Sequence, residues 1–253
     1  MAFTISLANQ KGGVGKTTSA VNIAAAIGAL DKRVLLIDLD PQGNSTSGVG
    51  VQKRSVKTSS YDVIIGNAKA SEAIVETEFK NLWLMPSQME LAGAEFELID
   101  LDKRELLFKN AITAIEDDFD YIFIDCPPSL GILSINALAA SNGVIIPMQC
   151  EFYSLEGLSQ LMMTIKQVKK LYNQSLEITG ILITMFNGRL NLSIQVLDEI
   201  KKYYADKLFS TSIVRNVKLS EAPSFGEPII YYDKSSKGAH AYMDVAKEIL
   251  ERT

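Results

Sequence analysis

Residues 9–18, Asn-Gln-Lys-Gly-Gly-Val-Gly-Lys-Thr-Thr, constrain this chain more than any other stretch. The ordinary phosphate-binding loop reads G-x-x-x-x-G-K-[ST]. Gly15-Lys16-Thr17 fit its second half, but Gln10 stands where the first glycine belongs, and a second lysine, Lys11, lies inside the loop. Ahead of it, Phe3-Thr4-Ile5-Ser6-Leu7-Ala8 is short, apolar and β-prone, the pattern of a buried parallel strand. Behind it, Thr17 to Ile27 is an alanine-rich helical pattern that Gly28 weakens near its end. Strand, glycine loop and helix amino terminus are the parts a phosphate site requires. Glycines let backbone N–H groups turn inward, and the helix dipole adds a positive end. Lys16 is placed to reach β- and γ-phosphates, and the Thr17 hydroxyl to bind Mg²⁺. Glycine-rich turns also join strands to helices without any ligand, but Gly-Gly-x-Gly-Lys-Thr-Thr after an amino-terminal strand argues against that reading.

The chain has 253 residues, 47% hydrophobic and 22% charged, enough for one sizeable core. A net charge of −5 excludes a polyanion binder working by bulk electrostatics, so nucleic-acid contact would need a local basic patch. The two cysteines, Cys126 and Cys150, are far apart and follow strand-like runs. They read as buried free thiols of a cytosolic protein, with no metal spacing. The amino terminus passes straight into a strand with no basic region before it, and no apolar run approaches the roughly 18 residues of a membrane span. The expectation is a soluble, cytoplasmic protein.

Apolar strand-like runs alternate with longer helical patterns. Candidate strands are 3–8, Arg33–Asp38, Leu82–Met85, Tyr121–Asp125, Gly143–Pro147, Ile178–Met185 and Thr211–Val214. Helical stretches lie near 17–30, 89–98, 103–116, 131–141, 154–171, 191–206 and 239–251. This alternation predicts an α/β fold, a doubly wound and mostly parallel sheet flanked by helices, with ligands at the carboxyl ends of its strands. With no repeat, low-complexity tract or linker, residues 1–253 read as a single domain. The polar stretch Gln42 to Ser60 reads as a mobile surface loop beside the site.

Two strand ends carry acids. Strand 33–38 runs into Asp38-Leu39-Asp40-Pro41-Gln42-Gly43-Asn44. A carboxylate there can orient an attacking water or hold a magnesium shell, or Asp40-Pro41 can simply start a turn. Beside a phosphate loop the functional reading is favoured. Strand 121–125 ends in Asp125-Cys126-Pro127-Pro128, the arrangement in which an aspartate contacts Mg²⁺ directly or through water. A turn or helix cap is the alternative.

Taken together, K-G-G-V-G-K-T-T, D-L-D-P-Q-G-N, D-C-P-P and the later E-A-P-S-F-G resemble the ParA/Soj/MinD group of deviant Walker A ATPases. Within it the chain is most similar to the small chromosomal ParA (Soj) proteins, from Ala8 to the last helix. The resemblance implies a P-loop nucleotide hydrolase fold and a homodimer sandwiching two ATPs with Mg²⁺. ATP contacts would come from Lys11, Gly12, Gly13, Val14, Gly15, Lys16, Thr17 and Thr18. Lys11, the signature lysine, would cross to the partner subunit's phosphates, with a purely intrasubunit role as the alternative. Lys16 would serve its own nucleotide, and Asp40 would position the hydrolytic water. Thr17 would bind the metal, Asp125 support it through water, and Asp38 belong to the same network. Adenine contacts are expected near Val214-Arg215-Asn216, with Asn216 the preferred base ligand. Family members usually carry proline where this chain has Val214. Hydrolysis would be slow and partner-stimulated, a timing switch.

DNA binding is the second implied property. Arg189 matches the family's DNA-binding arginine, while Arg215 and Lys218 precede E-A-P-S-F-G; Lys201-Lys202 and Lys234/Lys237 add charge nearby in sequence. Contacts of this kind give salt-dependent affinity without sequence reading. Lys218 stands where arginine is frequent, which keeps the charge but loses forked phosphate bonding. Each of these residues also reads as a solvated surface charge. No helix-turn-helix precedes the loop, so operator recognition is not expected. The implied role is partition of a chromosome or plasmid on the nucleoid with a ParB-type centromere-binding partner. One alternative is a MinD-like membrane ATPase, which should end in a basic amphipathic helix. The last helix mixes acids and bases, so no membrane is expected. A ParA-like positioner of other cargo or a replication regulator would share the same site, and a tyrosine autokinase would show a tyrosine cluster that Tyr242 alone does not make. His240, Trp83 and the Tyr231-Tyr232 pair read as structural.

Overall fold

Side chains of a strand point alternately to opposite faces of its sheet, and this chain fills both faces. The computed structural model describes all 253 residues. Its strands are β1 (Phe3–Leu7), β2 (Val34–Asp38), β3 (Val75–Glu76), β4 (Leu82–Met85), β5 (Tyr121–Asp125), β6 (Gly143–Gln149) and β7 (Glu177–Thr184). They form one sheet in the order β3-β4-β2-β5-β1-β6-β7. Every pairing is parallel except that of the two-residue edge strand β3 with β4. Along β2, Val34 and Leu36 enter one core layer while Leu35 and Ile37 enter the other; Tyr121 and Phe123 alternate likewise with Ile122 and Ile124 on β5. Helices Lys16–Ala29 and Lys237–Arg252 cover the first layer, contributing Ile23, Ile27, Val245 and Ile249. Helices Ile132–Ala140, Ser154–Leu171 and Asn191–Tyr204 cover the other, through residues such as Leu133, Leu161 and Ile200. The doubly wound, mostly parallel architecture read from the strand–helix alternation is therefore the observed one.

Several boundaries differ for identifiable reasons. β6 runs past Pro147 to Gln149, because β1 pairs only with its first residues and β7 carries the ladder on to Gln149 and Thr184. Proline needs no donor on the side where the neighbouring strand has ended. Thr211–Val214 is not a strand: it touches the end of β7 through the Ile213 N–H to the Ile183 carbonyl at 2.8 Å and an isolated Phe186–Val214 bridge. The 103–116 pattern resolves into one turn-and-a-half of α-helix, Leu107–Ile112, between 3₁₀ turns. Gly28 lies inside its helix because the 80–81 turn crosses there; a Cβ would stand 2.6 Å from the Lys80 carbonyl oxygen. The 42–60 stretch is not an open surface loop. It forms a short helix, Asn44–Gly48, whose Ser45 and Thr46 are fully buried under the strand ends. Cys126 and Cys150 are buried and free, and burial raises both thiols, Cys150 to about 11. Trp83 packs edge-on against Phe119.

Candidate nucleotide site

The carboxyl ends of β1, β2, β5, β6 and β7 converge on the glycine loop. Gly13 and Gly15 hold φ of +73° and +83°, values that an L side chain rarely adopts and that fold the loop back over the start of the Lys16–Ala29 helix. The first four N–H groups of that helix have no intrahelical acceptor, so they face the loop's concavity as donors. Neighbouring strands fix the loop from beneath. The Thr184 hydroxyl donates to the Val14 carbonyl at 2.7 Å, and Gln149 Nε2 donates to the Gly13 carbonyl at 2.9 Å. Gln10, at the place of the missing glycine, donates to the Gly157 carbonyl at 3.1 Å and to Gln160 Oε1 at 3.0 Å. A side chain at that position thus ties the loop to the Ser154–Leu171 helix, which a glycine could not do.

The two lysines point to different places. Lys16 is buried, lines a cavity of about 340 Å³ and donates to the Lys11 carbonyl at 3.1 Å. Burial lowers its pKa, while the nearby Asp125 carboxyl raises it. Gly12, Gly13, Gly15, Thr17, Thr18 and Asp40 share that cavity. Val14 does not line it: the residue is buried, and its carbonyl accepts the Thr184 hydroxyl. Lys11 does not line the cavity. Its ammonium forms an ion pair with Glu151, beside the exposed Phe152 and Tyr153.

Asp38 and Asp125 are paired in register on adjacent strands and fully buried. Asp38 accepts three bonds: from the Thr46 N–H and hydroxyl, both 2.7 Å, and from the Asp40 N–H at 3.3 Å. Asp125 accepts the Ser45 hydroxyl at 2.8 Å through Oδ2, but its Oδ1 is buried without a partner. Both carboxyls are pushed above the ordinary range, chiefly by desolvation; for Asp125 the Asp38 carboxyl adds to the rise, while the Ser45 and Thr17 hydroxyls oppose it. An orphaned, desolvated carboxyl oxygen beside Lys16 and Thr17 is a site that favours a cation. Asp38 is otherwise engaged: its bonds hold the 40–46 segment against the sheet. Asp40 is 6% exposed, faces the cavity, and accepts the Gln42 N–H through Oδ1 at 2.9 Å.

A second cleft of about 300 Å³ continues from the first through Gly15, Thr18 and Met185. Val214, Arg215 and Asn216 line it. Asn216 also caps the short Val217–Glu221 helix: its Oδ1 accepts the Lys218 N–H at 2.9 Å, leaving Nδ2 as donor. Met185, at φ +50°, stands where the two clefts join.

The three DNA candidates lie outside this packed centre. Arg189 is exposed on the turn after β7, its backbone held by Asn187. Arg215 reaches the cleft's lip, 4.0 Å from the Met185 sulfur. Lys218 pairs with Glu221 at 2.9 Å and lies 5.6 Å above the Tyr232 ring. Sequence reasoning did not single out Ser45, Thr46, Gln149, Glu151 or Thr184. Gln149 and Thr184 were accessible from the rule that strand carboxyl ends bear the site, and Ser45-Thr46 from their place directly after the acidic segment.

A parallel sheet with a glycine loop, an enclosed lysine and acids at two neighbouring strand ends defines the phosphate-loop nucleotide hydrolase class. A family model described as an AAA domain matches residues 2–178. The sporulation initiation inhibitor protein Soj of Bacillus subtilis is 53% identical, covering 98% of both chains. The chromosome partitioning protein ParA of Myxococcus xanthus is 46% identical over 98% of this chain and 88% of its own. Among solved structures, that of cobyrinic acid a,c-diamide synthase from Mycobacterium smegmatis with bound ATP analog and magnesium superposes with a TM-score of 0.87, at 36% identity over 99% of this chain and 95% of that one. This chain belongs to the ParA/Soj family of chromosome-partitioning ATPases.

Proposed function

We propose that this protein is an ATP-dependent switch that pairs with a second copy, binds duplex DNA without reading its sequence, and serves chromosome or plasmid partition on the nucleoid. The observation that carries this reading is the division of labour between the lysines: Lys16 is enclosed in its own phosphate cavity while Lys11 is turned out of it. A lysine outside its own site supports a role in completing another.

Lys16, the loop amides of residues 12–18 and the helix dipole bind the phosphates. Asn216 Nδ2 and the 214–216 backbone take the base. Asp40 accepts a proton from, and thereby orients, the water that attacks the γ-phosphorus. Thr17, and Asp125 through water, fit as holders of Mg²⁺: the unpartnered Asp125 Oδ1 lacks a positive neighbour in direct contact. Such an ion supplies neutralisation of the charge that develops on the phosphate oxygens. Lys11 adds a second positive charge there once a partner chain arrives, which ties turnover to dimerisation. A ParB-type protein on the centromere would then stimulate hydrolysis and release the DNA.

A membrane-bound variant of the switch has less support. Tyr242, Val245, Ala246 and Ile249 of the last helix are buried in the core, so its apolar face is already occupied. No helix is long and apolar enough to cross a membrane.

The test is duplex DNA binding as a function of salt, with ADP, with a non-hydrolysable ATP analogue, and for Lys16→Ala. The analogue-bound protein should bind tightly at low salt with a steep salt dependence, and Lys16→Ala should bind no better with nucleotide than without. Equal affinities for the ADP and analogue forms would overturn the reading.

A further inference from the structure

The dipeptide Asn-Gly occurs twice in this chain, at Asn142-Gly143 and at Asn187-Gly188, in opposite surroundings. An asparagine carboxamide is open to attack by the backbone nitrogen of the next residue, and glycine there hinders the attack least because it has no Cβ. Asn142-Gly143 is locked against it. The Asn142 Oδ1 accepts the Thr4 N–H at 2.7 Å, its carbonyl accepts the Glu177 N–H at 2.9 Å, and Gly143 is buried in β6 between β1 and β7. A Cβ on Gly143 would run into the Thr179 hydroxyl, so this packed stretch has no room to close a ring without parting the sheet.

Asn187-Gly188 is the reverse case. Residues 187–190 are exposed on the turn after β7, which the Leu190 N–H closes onto the Asn187 carbonyl at 3.1 Å. A Cβ on Gly188 would meet nothing nearer than a Phe186 ring carbon at 3.4 Å, so the site has room. The Asn187 side chain is already folded over the backbone, its Oδ1 accepting the Arg189 N–H at 3.1 Å. That bond spans the Gly188 nitrogen and draws the carboxamide carbon toward it. The same N–H is also a donor to the oxygen on which negative charge develops during attack.

We propose that Asn187 is a site of spontaneous deamidation, and that its conversion weakens the DNA-binding edge as the protein ages. The Gly188 nitrogen forms a bond to the Asn187 Cγ, the Cγ–Nδ2 bond breaks, and the proton from the Gly188 nitrogen leaves with Nδ2 as ammonia, closing a succinimide ring. Water then adds to either ring carbonyl and breaks its bond to the ring nitrogen. The product is an aspartyl residue, or an isoaspartyl residue whose main chain runs through the former side chain. Either product sets a carboxylate two residues from Arg189, where it competes with phosphate for the guanidinium. The isoaspartyl form also lengthens the backbone within the 187–190 turn. The modification stands on the turn itself; only its effect on DNA rests on the partition reading above.

The experiment ages the full chain at mildly alkaline pH and follows both Asn-Gly pairs by tandem mass spectrometry. Asn187 should convert at least about tenfold faster than Asn142, because the sheet must open locally before Asn142 can react. Gly188→Ala, whose Cβ the turn accommodates but the attack does not, should slow conversion at 187 severalfold. Duplex affinity of the ATP-analogue form at low salt should fall about threefold or more in the aged parent and in fresh Asn187→Asp, while aged Gly188→Ala keeps its fresh value. The modification is overturned if 187 converts no faster than 142, or if Gly188→Ala converts as fast as the parent. Its effect on DNA is overturned if the aged parent and Asn187→Asp bind the duplex as the fresh parent does. Conversion is read by mass, so it is decided even where the fresh parent binds no DNA in any nucleotide state, the outcome that overturns the partition reading and the DNA effect together.

Discussion

The phosphate-loop centre and the basic edge of the same trough are built in opposite ways. In the centre, Asp38, Ser45, Thr46, Thr184 and Lys16 are buried, and their polar atoms hold one another and the loop. At the edge, Arg189, Arg215 and Lys218 are exposed, and their side chains meet at most a sulfur, a carboxylate and a ring. Groups of the first kind are preorganised, so removing one leaves a buried neighbour unsatisfied. Groups of the second kind act through a field that salt screens. Substitutions should therefore cost fold and chemistry together in the centre, and affinity alone at the edge.

Thr46 gives the largest contrast. Its hydroxyl donates to Asp38 at 2.7 Å and accepts the Ser87 N–H at 3.0 Å, in a fully buried setting. Thr46→Val keeps the shape but deprives both partners, which should cost about 2–4 kcal/mol of stability. Chemical denaturation measures this directly. A loss under 0.5 kcal/mol would mean the network is not preorganised as described.

Protonation sharpens the same comparison. Burial lifts Asp125 to about 7, well above the ordinary carboxylate value. The folded state then holds a proton that the unfolded chain has already released between about pH 4 and pH 7. Stability of the ligand-free protein from this source is greatest at the acid end and falls as pH rises through that window. Other carboxyls, such as Asp120 with its lowered pKa, work in the opposite sense. The informative quantity is the difference from Asp125→Asn. That variant should gain relative to the parent as pH rises, by about 5 °C in Tm, and parallel pH profiles would refute the assignment.

Much of this centre was legible from spacing. The strand before the loop, the helix after it and the acids closing β2 and β5 follow from hydrophobic runs that end in charged residues, and the loop and acids meet at the carboxyl ends of central strands. The cleft at 214–216 was singled out only through the family resemblance: Thr211–Val214 reads as a strand in sequence, but a single isolated bridge, Phe186–Val214, joins it to the chain after β7. The 42–60 segment misled for a physical reason. Ser, Thr, Asn and Gly are loop formers by composition, yet Ser45 and Thr46 are buried because two desolvated carboxyls need their hydroxyls. Glu151 was invisible for another: its partner Lys11 is 140 residues away, and no local pattern announces a long-range ion pair.

At the basic edge the effects should be smaller and salt-dependent. Arg189 has an exposed guanidinium on a short turn. Arg189→Ala should lower duplex affinity of the ATP-analogue form by about three- to tenfold and reduce the salt slope by about 1, with nucleotide affinity unchanged. A uniform loss of nucleotide binding would place the residue in the preorganised centre instead.

Lys218 should contribute least, because Glu221 already pairs with it and raises its pKa, while the Tyr232 hydroxyl donates to the same carboxylate at 3.2 Å. Both members of the ion pair are substantially exposed, so the pair itself adds little to stability. Glu221→Gln keeps an acceptor for Tyr232 but releases the ammonium and removes a negative charge from the face that would meet phosphate. DNA affinity should rise, by about twofold near 50 mM salt, and the gain should vanish toward about 0.5 M as the Debye length shortens. A fall in affinity with an unchanged melting temperature would mean that Glu221 orders the Val217–Glu221 helix for contact, and that the edge shares the preorganised character of the centre.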